Sequence, residues 1–271
     1  MTTSSIKPTK RTFARAFFRR HGGTLLALAA VLVLLAVWEV VAVCLHKEYM
    51  LPRFSAVCVA FFRLWGTANF YRYTASTLLR CLMSFAIAFV AGALFGVIGG
   101  VFPLFRSALK PLVGFFRAAP TMGLTLIILV WLRAPYTPVC VGFLMVFPVI
   151  YTTVADAIAT APRDLLEMAK VYRMPMGRRI KTIYIPHAVP MIFSASGTAF
   201  ALNIKATVSA EILAHTVGSI GVQMKIAASD LLEGSALLFA WLLVAVLLSV
   251  AVEYALKGVQ KLVVRRYRHA S

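Results

Sequence analysis

Long apolar runs separated by short basic or proline-bearing stretches set the pattern of this chain. A helix needs about 20 mostly apolar residues to cross the hydrocarbon core of a bilayer, and six stretches are candidates: 24–45, 74–101, 111–132, 137–155, 187–213 and 235–256. The pattern predicts a polytopic, all-α membrane protein with six transmembrane helices. A membrane domain over 24–256 is expected between two basic tails, 1–23 and 257–271. The second span carries GALFG, Gly92 to Gly96, then Gly99 and Gly100, so close helix packing is expected there, within the chain or across a dimer. Pro120, Pro148 and Pro190 fall inside spans three, four and five and are expected to bend them. Between the first two spans, EYMLPRFSAVCVAFFRLW is too short and mixed to cross, and it is expected to lie at the outer interface, anchored by Trp65 and its Arg side chains.

Composition agrees with a bilayer as solvent, since 61% of the residues are hydrophobic and only nine are acidic. The net charge of +19 does not call for nucleic acid, because the basic residues cluster between apolar runs rather than along one soluble face. Nineteen of them fall in 1–23, 102–110, 158–186 and 257–271, against six on the other side, which places both termini and the 158–186 loop in the cytoplasm. The first apolar run exceeds the length of a signal-peptide core and reads as a retained span. Cys44, Cys58, Cys81 and Cys140 lack metal or redox spacing and read as packing residues, and no metal site is expected.

Three cations, Arg80, Arg117 and Lys205, lie inside predicted spans, where charge is costly. Arg80 and Lys205 sit toward outer ends and are expected to snorkel to the interface, whereas Arg117 either snorkels or lines an internal cavity. With Asn203 and Glu211 in span five, Arg117 and Lys205 are the candidate pathway residues for a polar solute. Glu211 and His215 have helical spacing and read as an outer-face hydrogen bond.

The loop DLLEMAKVYRMPMGRRIKTIYIP, Asp164 to Pro186, carries the most information. Leu165, Met168, Ala169 and Tyr172 fall at i, i+3, i+4 and i+7, giving one apolar helical face with Asp164, Glu167 and Lys170 off it. Pro162 suits a first turn, and Pro175 ends the helix and starts a second stretch from Gly177 to Ile185. Periodicity leaves three uses open: lying on anionic lipid, capping the bundle, or offering a knob to a cytoplasmic protein.

Glu167, Met168 and Ala169, then Arg173, Ile183, Ile185–Pro186 and Pro190 resemble the EAA loop of ABC-transporter permease subunits. VWEV at Val37 to Val40, LPRFSAV at Leu51 to Val57 and FFRAAP at Phe115 to Pro120 extend the likeness to the nitrate, sulfonate, taurine and thiamine-precursor branch. Three departures stand out: Met168 replaces an alanine, Arg173 replaces the loop glycine, and Phe54 replaces a proline. Arg173 then implies either an ordinary helical backbone or a rarer corner. The resemblance implies that the 160–186 segment is a cytoplasmic coupling helix docking on a separate ABC ATPase. Leu165, Met168, Ala169 and Tyr172 would be its packed knob, Glu167 a charge-paired contact, and Arg173 the corner. It further implies a homodimer in the inner membrane, an extracytoplasmic substrate-binding protein, and ATP and Mg held by the ATPase. No G-x-x-x-x-G-K-[ST] motif occurs here, so no nucleotide or other cofactor is expected on this chain.

Two rival classes follow from composition. An ion-gradient carrier would place carboxylates at the membrane midplane, whereas most acidic residues here lie near span ends or in loops. A membrane enzyme would need a catalytic motif, and neither H-E-x-x-H nor G-x-S-x-G is present.

Overall fold

The computed structural model describes residues 10–230 and 234–268, and every regular element among them is helical. In chain order these are α1 (Lys10–Leu45), α2 (Phe54–Trp65), α3 (Ala68–Val101), α4 (Pro103–Ala118), α5 (Thr121–Trp131), α6 (Thr137–Ala159), α7 (Arg163–Val171) and α8 (Met176–Arg179). A π turn (Ile180–Tyr184) then leads into α9 (Ile185–Ala214), α10 (Ile220–Ser229) and α11 (Gly234–Arg268). Five helical stretches are long and apolar enough to cross a membrane, and α4 with α5 makes a sixth span only as a pair bent by 103°.

The bend expected at Pro120 in the third span, 111–132, is a full break between two helices, and the first of them starts earlier, at Pro103. Ala119 is extended (φ −66°, ψ 131°), the conformation favoured before proline because the Pro120 ring disfavours the helical region there. Phe102, before Pro103, is extended for the same reason and separates α3 from α4. Pro148 and Pro190, by contrast, lie inside the continuous helices α6 and α9. The terminal helices also outrun their apolar cores: α1 is already helical at Lys10, within the expected tail, and α11 continues to Arg268. Residues 1–9 and 269–271 of the expected tails lie outside the described residues.

The glycine stripe of α3 packs within the chain, against α6. A Cβ at Gly92 would stand 2.9 Å from Ile150 Cβ, at Gly96 2.6 Å from Val154 Cβ, and at Gly100 2.5 Å from Ile158 Cβ. Only hydrogen at these positions lets the two backbones approach so closely, and dispersion over that contact replaces the hydrophobic drive that lipid cannot supply. Helix α6 is the centre of the bundle, with Val141, Val146, Ile150 and Ala157 fully buried. A second core, at the other end, gathers Phe61, Phe70, Phe200, Ile220 and Trp241. Short α2 contributes Val57 and Phe61 to the interior rather than simply lying on the surface. Its first amide groups are capped from α1, where Glu39 accepts from Phe54 N at 2.7 Å and from Ser55 Oγ at 2.9 Å. From Leu26 onward α1 is otherwise largely exposed, with Leu34 at 70%.

Candidate functional site

The loop that the sequence singles out folds as an elbow. Helix α7 follows Pro162 and ends at Val171. Beyond it, Met174 N donates to Ala169 O at 2.8 Å and Arg173 N to Lys170 O at 3.0 Å, while Arg173 itself is left-handed (φ 48°). This is the closing pattern that usually places glycine at the left-handed position, since it satisfies two terminal carbonyls at the cost of a strained backbone. Of the two backbones open to Arg173, the corner is the one adopted. Arg179 Nε donates to Met174 O at 2.8 Å and fastens the corner to the next segment.

The predicted apolar face of α7 divides. Ala169 is turned into the chain's own body at 0% exposure, which corrects its assignment to an outward knob. Leu165, Met168 and Tyr172 remain exposed, and Glu167 is exposed beside them. Val171 and Met176, which periodicity did not select, are exposed too. Their signal was adjacency to the corner, where the chain turns and two successive helices present side chains outward. Beyond α8 the π turn closes with Ile185 N on Ile180 O, directly ahead of Pro186. Proline offers no amide and its ring crowds the carbonyl four residues back, so a widened turn accommodates it.

At the end of the bundle away from the elbow, polar side chains tie three helices together. Glu211 of α9 is fully buried and accepts from Arg80 Nη1 and from Thr77 Oγ1, both of α3, each at 3.0 Å. It also accepts from Gly221 N at 3.2 Å, while Ile220 N donates to Thr77 Oγ1 at 3.0 Å and Val222 N to Ser219 Oγ at 3.2 Å. The first three amide groups of α10 are therefore all paired, and the carboxylate lies at that helix's positive end. The expected snorkelling of Arg80 is overturned by this ion pair, because a buried carboxylate needs a counter-charge more than the guanidinium needs the interface. The Glu211 carboxylate does not meet the His215 ring: His215 is left-handed (φ 50°), its backbone N donates to the Glu211 carbonyl, and its ring contacts Lys225 instead.

Two turns earlier, Asn203 bridges the same helices. Its amide donates to Cys81 O at 2.7 Å and its carbonyl accepts from Ser84 Oγ at 3.0 Å and Thr207 Oγ1 at 3.2 Å. Gly142 of α6 makes room, since a Cβ there would lie 2.3 Å from Asn203 Oδ1. The structure thus joins Asn203 and Glu211 in one intrachain seam and leaves the other two candidate pathway residues apart from it. Lys205 is exposed on another face of α9, and Arg117 is exposed at the elbow end, donating to Thr152 Oγ1 at 3.3 Å. No cluster of three or more metal-ligating side chains occurs among the described residues.

Residues 88–269 match the model of the family described as binding-protein-dependent transport system inner membrane component. The chain belongs to that family. This permease is 26% identical to the nitrate import permease protein of Leptolyngbya laminosa, over 70% of each chain. It is 28% identical to the riboflavin transport system permease protein of Chloroflexus aurantiacus, over 69% of this chain and 70% of that one. It is 21% identical to the taurine transport system permease protein of Escherichia coli, over 71% of this chain and 73% of that one. Membership sets this permease among ABC importer components and apart from ion-gradient carriers. The matched region holds the elbow, Arg117, Asn203 and Glu211, whereas Thr77 and Arg80, which complete the buried seam, precede it.

Proposed function

We propose that two copies of this permease form the path of an ABC importer for a small polar solute, driven through the elbow by a separate cytoplasmic ATPase that binds ATP and Mg. The observation that carries the reading is the outward apolar group on α7: Leu165, Met168 and Tyr172 stay exposed, at 43%, 45% and 76%, on a helix otherwise charged and basic-flanked. Exposed apolar side chains gathered on a short loop helix fit the groove of a partner protein. Glu167, with no ion pair among the described residues, would meet a basic residue of the ATPase, and Arg173 would fix the angle at which α7 is presented. In this reading the elbow end and both termini face the cytoplasm, lipid surrounds the bundle, and an extracytoplasmic binding protein delivers the solute. Relatives named for nitrate, taurine and riboflavin support a delivered polar solute without selecting one. Arg117 and Lys205, with exposed side chains, are the groups that would meet it, while Asn203 and Glu211 would hold the helices around the path.

The decisive experiment is co-purification with a candidate cytoplasmic ABC ATPase. Glu167→Arg should leave membrane insertion intact and abolish co-purification. Undiminished capture would remove Glu167 from the contact, and proteolysis of Tyr172 from the extracytoplasmic face would remove the elbow altogether.

A further inference from the structure

At the elbow end a cavity of about 550 Å³ opens between α4 and α6. Helix α4 contributes Arg106, Lys110 and Arg117 to its lining, and α6 contributes Tyr151, Thr152 and Asp156. The three cations share one stripe of α4, because positions 106, 110, 114 and 117 recur at helical spacing. The fourth member is Gly114, where a Cβ would meet nothing within 4 Å, so the floor between Lys110 and Arg117 is open space.

The charges do not cancel. Asp156 pairs with Arg106, but among the described residues neither Lys110 nor Arg117 has an ion-pair partner. Arg117 has one hydrogen bond to the Thr152 hydroxyl, whose own proton goes to Pro148 O at 2.8 Å. Tyr151 also lines the cavity wall, and its buried hydroxyl, without a hydrogen-bond partner in the described structure, lies toward α3, where a Cβ at Gly99 would stand 2.7 Å from it. Unneutralised ammonium and guanidinium groups on one stripe complement a small anion with several oxygen acceptors.

We propose that this cavity binds an oxyanion group, held between Lys110 and Arg117 over Gly114, with the Arg106–Asp156 pair as its rim. The group arrives either on a soluble oxyanion or as the phosphodiester of an anionic lipid, whose acyl chains the exposed Leu104, Leu112 and Phe115 of the same helix would suit. Charges that served topology alone would need neither the cavity nor the glycine. Because Arg117 also stands on the proposed solute path, this site rests on that reading, and its failure would leave the elbow contact untouched.

The test uses the full chain purified in detergent and two probes. Inorganic sulfate is titrated calorimetrically at low ionic strength, and retained phosphatidylglycerol is counted by native mass spectrometry. Lys110→Gln combined with Arg117→Gln removes the charges, and Gly114→Leu fills the floor while keeping every charge. Both variants should weaken sulfate binding, or deplete retained lipid, by roughly tenfold or more, the loss expected for a charge-assisted hydrogen bond, with the thermal midpoint unchanged. Sulfate bound and not displaced by the lipid identifies a soluble oxyanion, and lipid retained against sulfate identifies a headgroup. Absence of binding by both probes overturns the proposal. So does binding that Gly114→Leu leaves intact, because diffuse surface charge would then suffice.

Discussion

The two ends of this bundle solve opposite problems. Around Glu211 the buried groups of the seam are answered inside the chain: a carboxylate, a guanidinium, the Thr77 hydroxyl and the first amides of α10 close on one another. At the elbow the backbone is equally well satisfied, yet Leu165, Met168, Val171 and Tyr172 are left without cover. A self-satisfied seam holds helices in a fixed relation, whereas uncovered apolar side chains acquire their stability only from another molecule. The contrast separates residues whose loss should unfold the protein from residues whose loss should merely isolate it.

The sharpest way to break the comparison is at the seam. Glu211→Ala would strand Arg80 and the start of α10, and removal of one partner from a buried pair costs about 3–5 kcal/mol. The purified chain should show a lower thermal midpoint or fail to accumulate in the membrane. If Glu211→Ala were as stable as the parent, the seam would not be structural. Next in size is Gly96→Val, which drives two methyl groups into Val154 and should destabilise by about 1–3 kcal/mol, read as a lower thermal midpoint. At the elbow the sign reverses: Arg173→Gly relieves a left-handed L-residue and should raise stability by up to about 1 kcal/mol in the same assay. The smallest stability effect belongs to Leu165→Asp and Tyr172→Asp, within roughly 0.5 kcal/mol of the parent because both positions are exposed. Those two variants should nevertheless lose the ATPase in pull-downs, and retention of it would place the contact elsewhere.

Much of this architecture was legible because lipid imposes a simple demand, a run of apolar residues long enough to cross. Pro120 pointed to a bend, but the same demand hid how far the chain breaks at Ala119, since the run is apolar on both sides of it. The seam was hidden by distance along the chain: Arg80 and Glu211 are 131 residues apart, and only their opposite charges, both within spans near the same end, pointed to a pair. The split of the α7 face was not legible either, because period gives the face of a helix but not which of its residues the chain keeps for itself. At Arg173 the sequence left two backbones open, an ordinary helical one and a corner, and only the structure's left-handed φ of 48° chooses between them.

The π turn at Ile180–Tyr184 has a mechanical corollary. It is the joint through which α9 is continuous with the elbow, so it sets the rotational phase between a transmembrane rod and its attached crank. One residue of helix subtends about 100°. Excising Thr182, which lies exposed in that turn, would swing the outward side chains of α7 around the rod axis by about that angle while leaving each helix intact.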